Sequence, residues 1–285
     1  MSTTPFEPNA AMTEPETPNY ALGHSPTEIR RLGIQAAIIR PITMRLLHTL
    51  GVSPGMRILD VGCGAGDVAL LASQLVGESG AVVGIDRSEA AILAARARAA
   101  TAKNVHFLVK SPYDTLDTAS FDVVIGRYVL IFQDDVPSFI RASARLVKPG
   151  GIVAFHEIDD ADDFAALPEI PLWSQANEWV MSALRSLVPN PYVPGKLVDS
   201  FSQAGLGTPT LFCEVPIGDG EQSPIATWLA ETLRTLLPQI IRRGWASEEA
   251  VDIDSLEKRL RAAASTIHSQ VSAPRQICGW VRVPS

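Results

Sequence analysis

Between residues 51 and 160 short apolar runs alternate with longer stretches of helical period. Ile58-Leu59-Asp60-Val61 reads as a buried strand, Asp67 to Val76 as a helix, and Ala81-Val82-Val83-Gly84-Ile85 as a second strand. Asn104 to Ser111 gives a third strand, Phe121 to Arg127 a fourth, and the run that ends at Phe155-His156-Glu157-Ile158-Asp159 a fifth. Strands alternating with helices predict an α/β protein whose parallel sheet is covered on both faces.

Outside this core the period is helical. Ser25-Pro26-Thr27-Glu28 reads as a capping box opening a helix that Pro41 ends or kinks, with a second helix from Ile42 to Leu50. Beyond Asp159, helices are expected from about Leu172 to Leu187, Lys196 to Ala204, through Trp228 to Ile241, and after a capping box at Asp254-Ser255-Leu256-Glu257. Pro209 to Pro216 fits a sixth strand and Arg275 to Val283 a last one. The expected organisation is a mobile tail over 1–19, which holds four prolines and no apolar period, and a helical cap over 20–50. The core follows over 51–160, a helical insertion over 161–194, and a core helix with the sixth strand over 195–220. A second helical insertion spans 221–273 and the last strand 274–285. The two insertions would stand above the strand tips as a lid, their Trp and Leu residues either enclosing an apolar chamber or simply packing a core.

The chemistry gathers where the first strand meets its helix. Gly62, Gly64 and Gly66 form G-x-G-x-G, with Asp60 just ahead of them. A glycine turn opening a helix aims backbone N–H groups and the positive end of a dipole at a negative group. The dinucleotide form, G-x-G-x-x-G, is spaced differently. Asp60-Val61-Gly62-Cys63-Gly64-Ala65-Gly66 closely resembles the first motif of class I S-adenosylmethionine-dependent methyltransferases. Asp86 at the second strand tip, Phe121 to Arg127, and the turn Lys148-Pro149-Gly150-Gly151 before the fifth strand extend that resemblance over residues 50 to 160. Within the family the likeness is to the small-molecule group often labelled type 11.

The resemblance implies a doubly wound Rossmann-like sheet of seven strands, the last antiparallel, and S-adenosyl-L-methionine as cofactor. It places the cofactor's methionine end at Asp60, Gly62, Cys63, Gly64 and Gly66, and its ribose at Asp86 beside Arg87, although Asp86 also reads as a helix N-cap. The family's Gly-Asp pair after the third strand is replaced by Lys110-Ser111, so adenine contact falls to Ser111 and Pro112. Tyr20 and Gln35 of the leading segment are expected near the methionine end, with Arg127 at the fourth strand tip. Strand tips border the reacting centre in doubly wound sheets, which makes His156 and Glu157 candidates for catalysis.

Composition narrows the rest. A formal net charge of −7 disfavours an extended nucleic-acid surface. No run is long and apolar enough for a membrane span and no secretory signal is visible, so a cytoplasmic protein with a small-molecule substrate is expected. The three cysteines have no metal-type spacing, Cys63 reads as a small filler in the glycine loop, and the acidic run 159–163 reads as a solvated loop. No metal is expected, and the chain is silent on oligomeric state and on the acceptor atom. A nicotinamide-dependent oxidoreductase and a non-catalytic cofactor-binding protein stay as alternatives to the transferase.

Overall fold

The computed structural model describes residues 26–114, 118–159 and 164–284. The chain opens with helix α1 (Pro26–Thr49), followed by β1 (Arg57–Val61), α2 (Asp67–Val76), β2 (Ala81–Asp86), α3 (Glu89–Arg98), β3 (Val105–Val109) and β4 (Phe121–Arg127). Next come α4 (Val136–Ala144), β5 (Val147–Ile158), β6 (Ala165–Leu167), α5 (Pro171–Leu187), α6 (Leu197–Gln203), β7 (Thr210–Glu214) and β8 (Ile217–Asp219). The chain closes with α7 (Ile225–Arg242), α8 (Glu248–Val251), α9 (Ile253–Thr266), β9 (Gln270–Ser272) and β10 (Gln276–Arg282).

The main sheet has seven strands in the order β3-β2-β1-β4-β5-β10-β7. Strands β1 to β5 pair in parallel, while β10 runs antiparallel to both β5 and β7. The order reverses at β1 and β4, which puts the crevice for a ligand beyond the carboxyl ends of those strands. Central positions such as Leu59, Val124 and Ile125 are fully buried, because helices cover both faces. The carboxyl half of α1 packs with α2 and α3 on one face, and α4 with α6 packs on the other.

A third apolar cluster joins Ile39 of α1 to α5, α7 and α9, and Tyr128 and Ile158 at the strand tips pack against it. Trp173 and Trp228 sit at its centre, essentially without exposure. Each stabilises by roughly 2–3 kcal/mol through apolar burial. These two tryptophans are core, which answers the alternative left open by their helical spacing.

Four local expectations need correction. The leading segment is one helix, with Pro41 inside it. Packing of its two halves, against the third cluster and against α2, outweighs the roughly 3 kcal/mol that an internal proline costs. The Lys-Pro-Gly-Gly stretch lies inside β5, absorbed as a register shift between Phe121 and Val123 of the neighbouring strand. Helix α9 starts at Ile253, and Asp254 pairs with Arg234 while Glu257 accepts from Thr227 and Arg261, so no capping box forms there. Finally, β6 and β9, inside the two segments expected to be helical, form a small antiparallel sheet with β8, which follows the sixth strand. Three residues per strand are too few for a period of two to register. The opening cap residue Ser25, residues 1–19 and most of the acidic run lie outside the described residues, and Asp159 itself pairs with Arg275.

Candidate active site

The loop between β1 and α2 is built on three glycines in left-handed backbone, at φ +68°, +51° and +83° for Gly62, Gly64 and Gly66. A Cβ at Gly62 would stand 2.5 Å from Val129 Cγ2, and one at Gly66 2.7 Å from Phe107 Cζ. Packing alone therefore demands those two glycines. Gly64 differs, because a Cβ there would meet nothing within 4 Å. Its face of the loop is open, as a cradle for a ligand must be.

Asp86 holds that cradle from the tip of β2. Its Oδ2 accepts the Gly64 N–H at 2.9 Å and its Oδ1 the Ser88 N–H at 2.8 Å. Ser88, rather than Asp86, caps α3, its hydroxyl accepting from Ala91 N–H at 3.2 Å. Each Asp86 oxygen keeps a second lone pair for a ligand hydroxyl. Arg87 is exposed beside it. Cys63 is buried behind the loop, and burial pushes its thiol well above the usual range, so it stays protonated.

Under the loop lies Asp60, 1% exposed. Its Oδ2 accepts the Ala69 N–H of α2 at 2.9 Å, while its buried Oδ1 has no hydrogen-bond partner. Burial pushes its carboxyl up to about 7, against the pull of Arg127 and of that N–H, and the nearby Asp67 and Asp86 add to the rise. Arg127, at the tip of β4, gives Nη1 to Thr43 Oγ1 at 3.1 Å and sets Nη2 3.7 Å from Asp67 Oδ2. Arg98 of α3 grips the other side of the loop, with 2.7 Å to the Ala65 carbonyl and 2.6 Å to Asp67 Oδ1. Asp67 is thus clamped between two guanidinium groups at the first turn of α2, where a carboxylate also suits the dipole.

At the far end of the crevice, Ser111 and Pro112 follow β3 in a tight turn. Ser111 N–H donates to Asp114 Oδ2 at 2.6 Å, and its hydroxyl accepts from Tyr113 N–H at 3.3 Å. Pro112 is buried, whereas Tyr113 is exposed and meets Phe139 edge-on at 6.2 Å. Gln35 lies farther along α1, buried, and accepts from Arg31, which also pairs with Glu28. Among the described residues its hydrogen bond goes to that arginine rather than to the loop. Tyr20 lies outside the described residues.

The two residues expected to be catalytic sit at the tip of β5, fully buried. Glu157 Oε1 accepts the N–H groups of Val129 and Leu130 at 3.1 and 3.0 Å, which closes the short turn after β4. His156 has both ring nitrogens engaged, Nδ1 3.3 Å from Thr43 Oγ1 and Nε2 3.1 Å from Gln276 Oε1. Burial first, and the Arg127 charge second, push its pKa down to about 3, so the ring is neutral. A general base needs a lone pair free to face the acceptor, and here that lone pair meets Thr43. Tyr128 stands beside them at φ +56°, a left-handed conformation that is rare for a bulky residue and marks a constrained site. Its hydroxyl donates to Gln276 Oε1.

Four residues of this arrangement were not assigned from the sequence: Thr43 mid-helix, Asp67, Arg98 and Gln276 on the last strand. Only Asp67 was within reach, as the acid that directly follows the third glycine.

Comparison with known proteins identifies the family. Residues 52–203 match the family model of a methyltransferase domain. The chain belongs to the class I S-adenosylmethionine-dependent methyltransferase family. Among methyltransferases, the aklanonic acid methyltransferase of a Streptomyces species is 30% identical over 186 residues, covering 64% of this chain and 81% of that one. The ubiquinone biosynthesis O-methyltransferase of Thiobacillus denitrificans is 37% identical over 124 residues, 42% of this chain and 52% of its own length. The chain thus spans about half the length of that relative. The fold is shared with a solved N-methyltransferase for phosphoethanolamine from Haemonchus contortus, at TM-score 0.53 and 16% identity over 90% of this chain and 58% of that one. The YcgJ protein of Bacillus subtilis shares it too, at TM-score 0.53 and 18% identity over 85% and 99%. S-adenosylmethionine is the methyl donor of this methyltransferase family, and the open Gly64 face with the unspent Asp60 oxygen fits it.

Proposed function

We propose that the chain transfers the methyl group of S-adenosylmethionine to a small, largely apolar metabolite held between the strand tips and the helices α5, α7 and α9. The observation that carries this reading is the cradle itself. Gly64 is open, Asp86 waits beside it, and Asp60 offers a buried oxygen with no partner. S-adenosylmethionine, when bound, supplies a methyl group activated on a sulfonium.

The chain's own residues then have three tasks. The loop N–H groups and the first turn of α2 suit a carboxylate, and the ionised Asp60 suits an ammonium group next to it. Asp86 accepts the two ribose hydroxyls without giving up the loop, and Ser111 with Pro112 borders the adenine. The helical layer shuts out water and aims the acceptor along the methyl–sulfur axis, which supplies most of what such a transfer needs. His156 and Glu157 take positioning roles in this reading, because both act on neighbouring chain groups. A net charge of −7, with aklanonic acid and ubiquinone in the relatives' names, supports a small metabolite over a nucleic acid.

The test is methyl transfer from labelled S-adenosylmethionine to a panel of apolar phenols, enols, carboxylic acids and amines. Label on one class fixes the acceptor atom. Tight cofactor binding with no transfer to water-soluble or membrane-extracted acceptors would leave a binding protein instead. Among the described residues no helix is long and apolar enough to cross a membrane.

A further inference from the structure

The hydrogen bonds between α1 and the strand tips fix the direction of every proton in them. Gln276 Nε2 donates to the Pro274 carbonyl at 2.8 Å, so its Oε1 faces His156 and Tyr128. An acceptor oxygen there requires the His156 proton on Nε2, which leaves Nδ1 as a bare lone pair. Thr43 Oγ1 lies 3.3 Å from that lone pair and also 3.3 Å from the Ile39 carbonyl of its own helix. The Ile39 carbonyl already serves the helix ladder, whereas Nδ1 has no other donor. The hydroxyl proton therefore belongs to His156, and both Thr43 lone pairs remain for the Arg127 guanidinium, which donates to them at 3.1 Å.

We propose that Thr43 is a positioning residue that locks Arg127 against Asp67 and Asp60, and so couples the docking of α1 to the affinity of the cofactor loop. The chain of contacts runs from Tyr128 and Gln276 through His156 and Thr43 to Arg127, and ends on the first turn of α2. Its members come from α1, β4, β5 and β10, so it forms only when all four are in place. Thr43 is fully buried, and no substrate or cofactor needs to touch it. Without it the guanidinium keeps, among the described residues, the 3.7 Å contact to Asp67 alone, and its charge drifts from Asp60. The charged groups that face Asp60 are Arg127 from β4, Asp67 from α2 and Asp86 from β2. Arg127 is the one that favours the ionised form.

The proposal rests on the reading that the loop holds S-adenosylmethionine, and the test separates the two. Wild type, Thr43→Ser and Thr43→Val are titrated with S-adenosylhomocysteine by calorimetry, and their arginine side-chain NMR signals are recorded without ligand. Thr43→Val, of nearly equal volume, is expected to bind about tenfold more weakly, while Thr43→Ser binds like wild type. In Thr43→Val the pH midpoint of binding is expected to move above the value of about 7 set by Asp60. Without ligand, rotation of the Arg127 guanidinium should be slow in wild type and Thr43→Ser and fast in Thr43→Val. Equal affinity and equal guanidinium rotation in all three chains would overturn the proposal. If wild type binds no S-adenosylhomocysteine, the loop reading fails, and the guanidinium signals alone decide for or against Thr43.

Discussion

The glycine loop and the helical layer above it obey different rules. In the loop, Gly64 keeps an open face, with nothing within 4 Å of a Cβ there, and Asp86 holds it by accepting the Gly64 and Ser88 N–H groups. In the layer, Trp173, Trp228, Leu229 and Leu233 are fixed by volume and by helical period, and another large apolar residue would satisfy the same demand. A chain that meets a ligand must place particular atoms. A chain that meets itself must mainly fill space.

That contrast can be broken experimentally, starting with stability. Trp228→Ala removes a fully buried ring that meets Phe164 edge-on at 5.2 Å. A loss of about 3–5 kcal/mol in denaturant unfolding is expected, with S-adenosylhomocysteine affinity retained in the folded fraction. Asp86→Ala should do the reverse. It removes the acceptor proposed for the ribose and frees the Gly64 and Ser88 N–H groups, so calorimetry should read about 100-fold weaker binding while the melting temperature moves little. Gly64→Ala sharpens the point, since nothing lies within 4 Å of its new methyl group. Left-handed strain costs roughly 1–2 kcal/mol of stability, whereas the methyl enters the cradle and should weaken cofactor binding by at least about tenfold.

The same comparison extends to pH. Asp60 is raised from 3.8 to about 7, so the folded chain holds a proton that the unfolded chain has released. Its contribution to stability is therefore fully present below about pH 4, falls as the pH rises through 7, and is flat above. Binding of an ammonium-bearing ligand should strengthen over the same rise as Asp60 ionises. Asp60→Asn should flatten the binding titrations taken from pH 5 to 8, and in thermal melts it should leave the opposite slope of His156 uncompensated below about pH 6.5. His156, lowered to about 3, shapes the acid side with the opposite sign, because the unfolded ring takes up a proton below about 6.5 that the buried ring refuses.

Much of the loop half was legible because its constraints are local. The G-x-G-x-G spacing, the acid one strand later and the alternation of strand and helix each lie within a short window, and the family resemblance they carry implied the seven-stranded sheet with its last strand antiparallel. What escaped depends on partners distant in sequence. Thr43 and His156 are 113 residues apart and His156 and Gln276 are 120 apart, so no window holds both members of either pair. The continuity of α1 through Pro41 escaped for the same reason, since tertiary packing on α2 and α7 overrides a local helix breaker. His156 and Glu157 were legible as polar strand-tip groups bordering the crevice, but a strand position does not say which neighbour a side chain meets.

The central claim is that the loop and Asp86 hold S-adenosylmethionine. Calorimetric titration of the wild-type chain and of Asp86→Ala with S-adenosylmethionine, S-adenosylhomocysteine and NAD tests it most directly. The account predicts micromolar binding of both sulfur nucleosides by wild type, about 100-fold weaker binding by the variant, and no binding of NAD. Binding of NAD alone, or equal binding of the nucleosides by both chains, would contradict it.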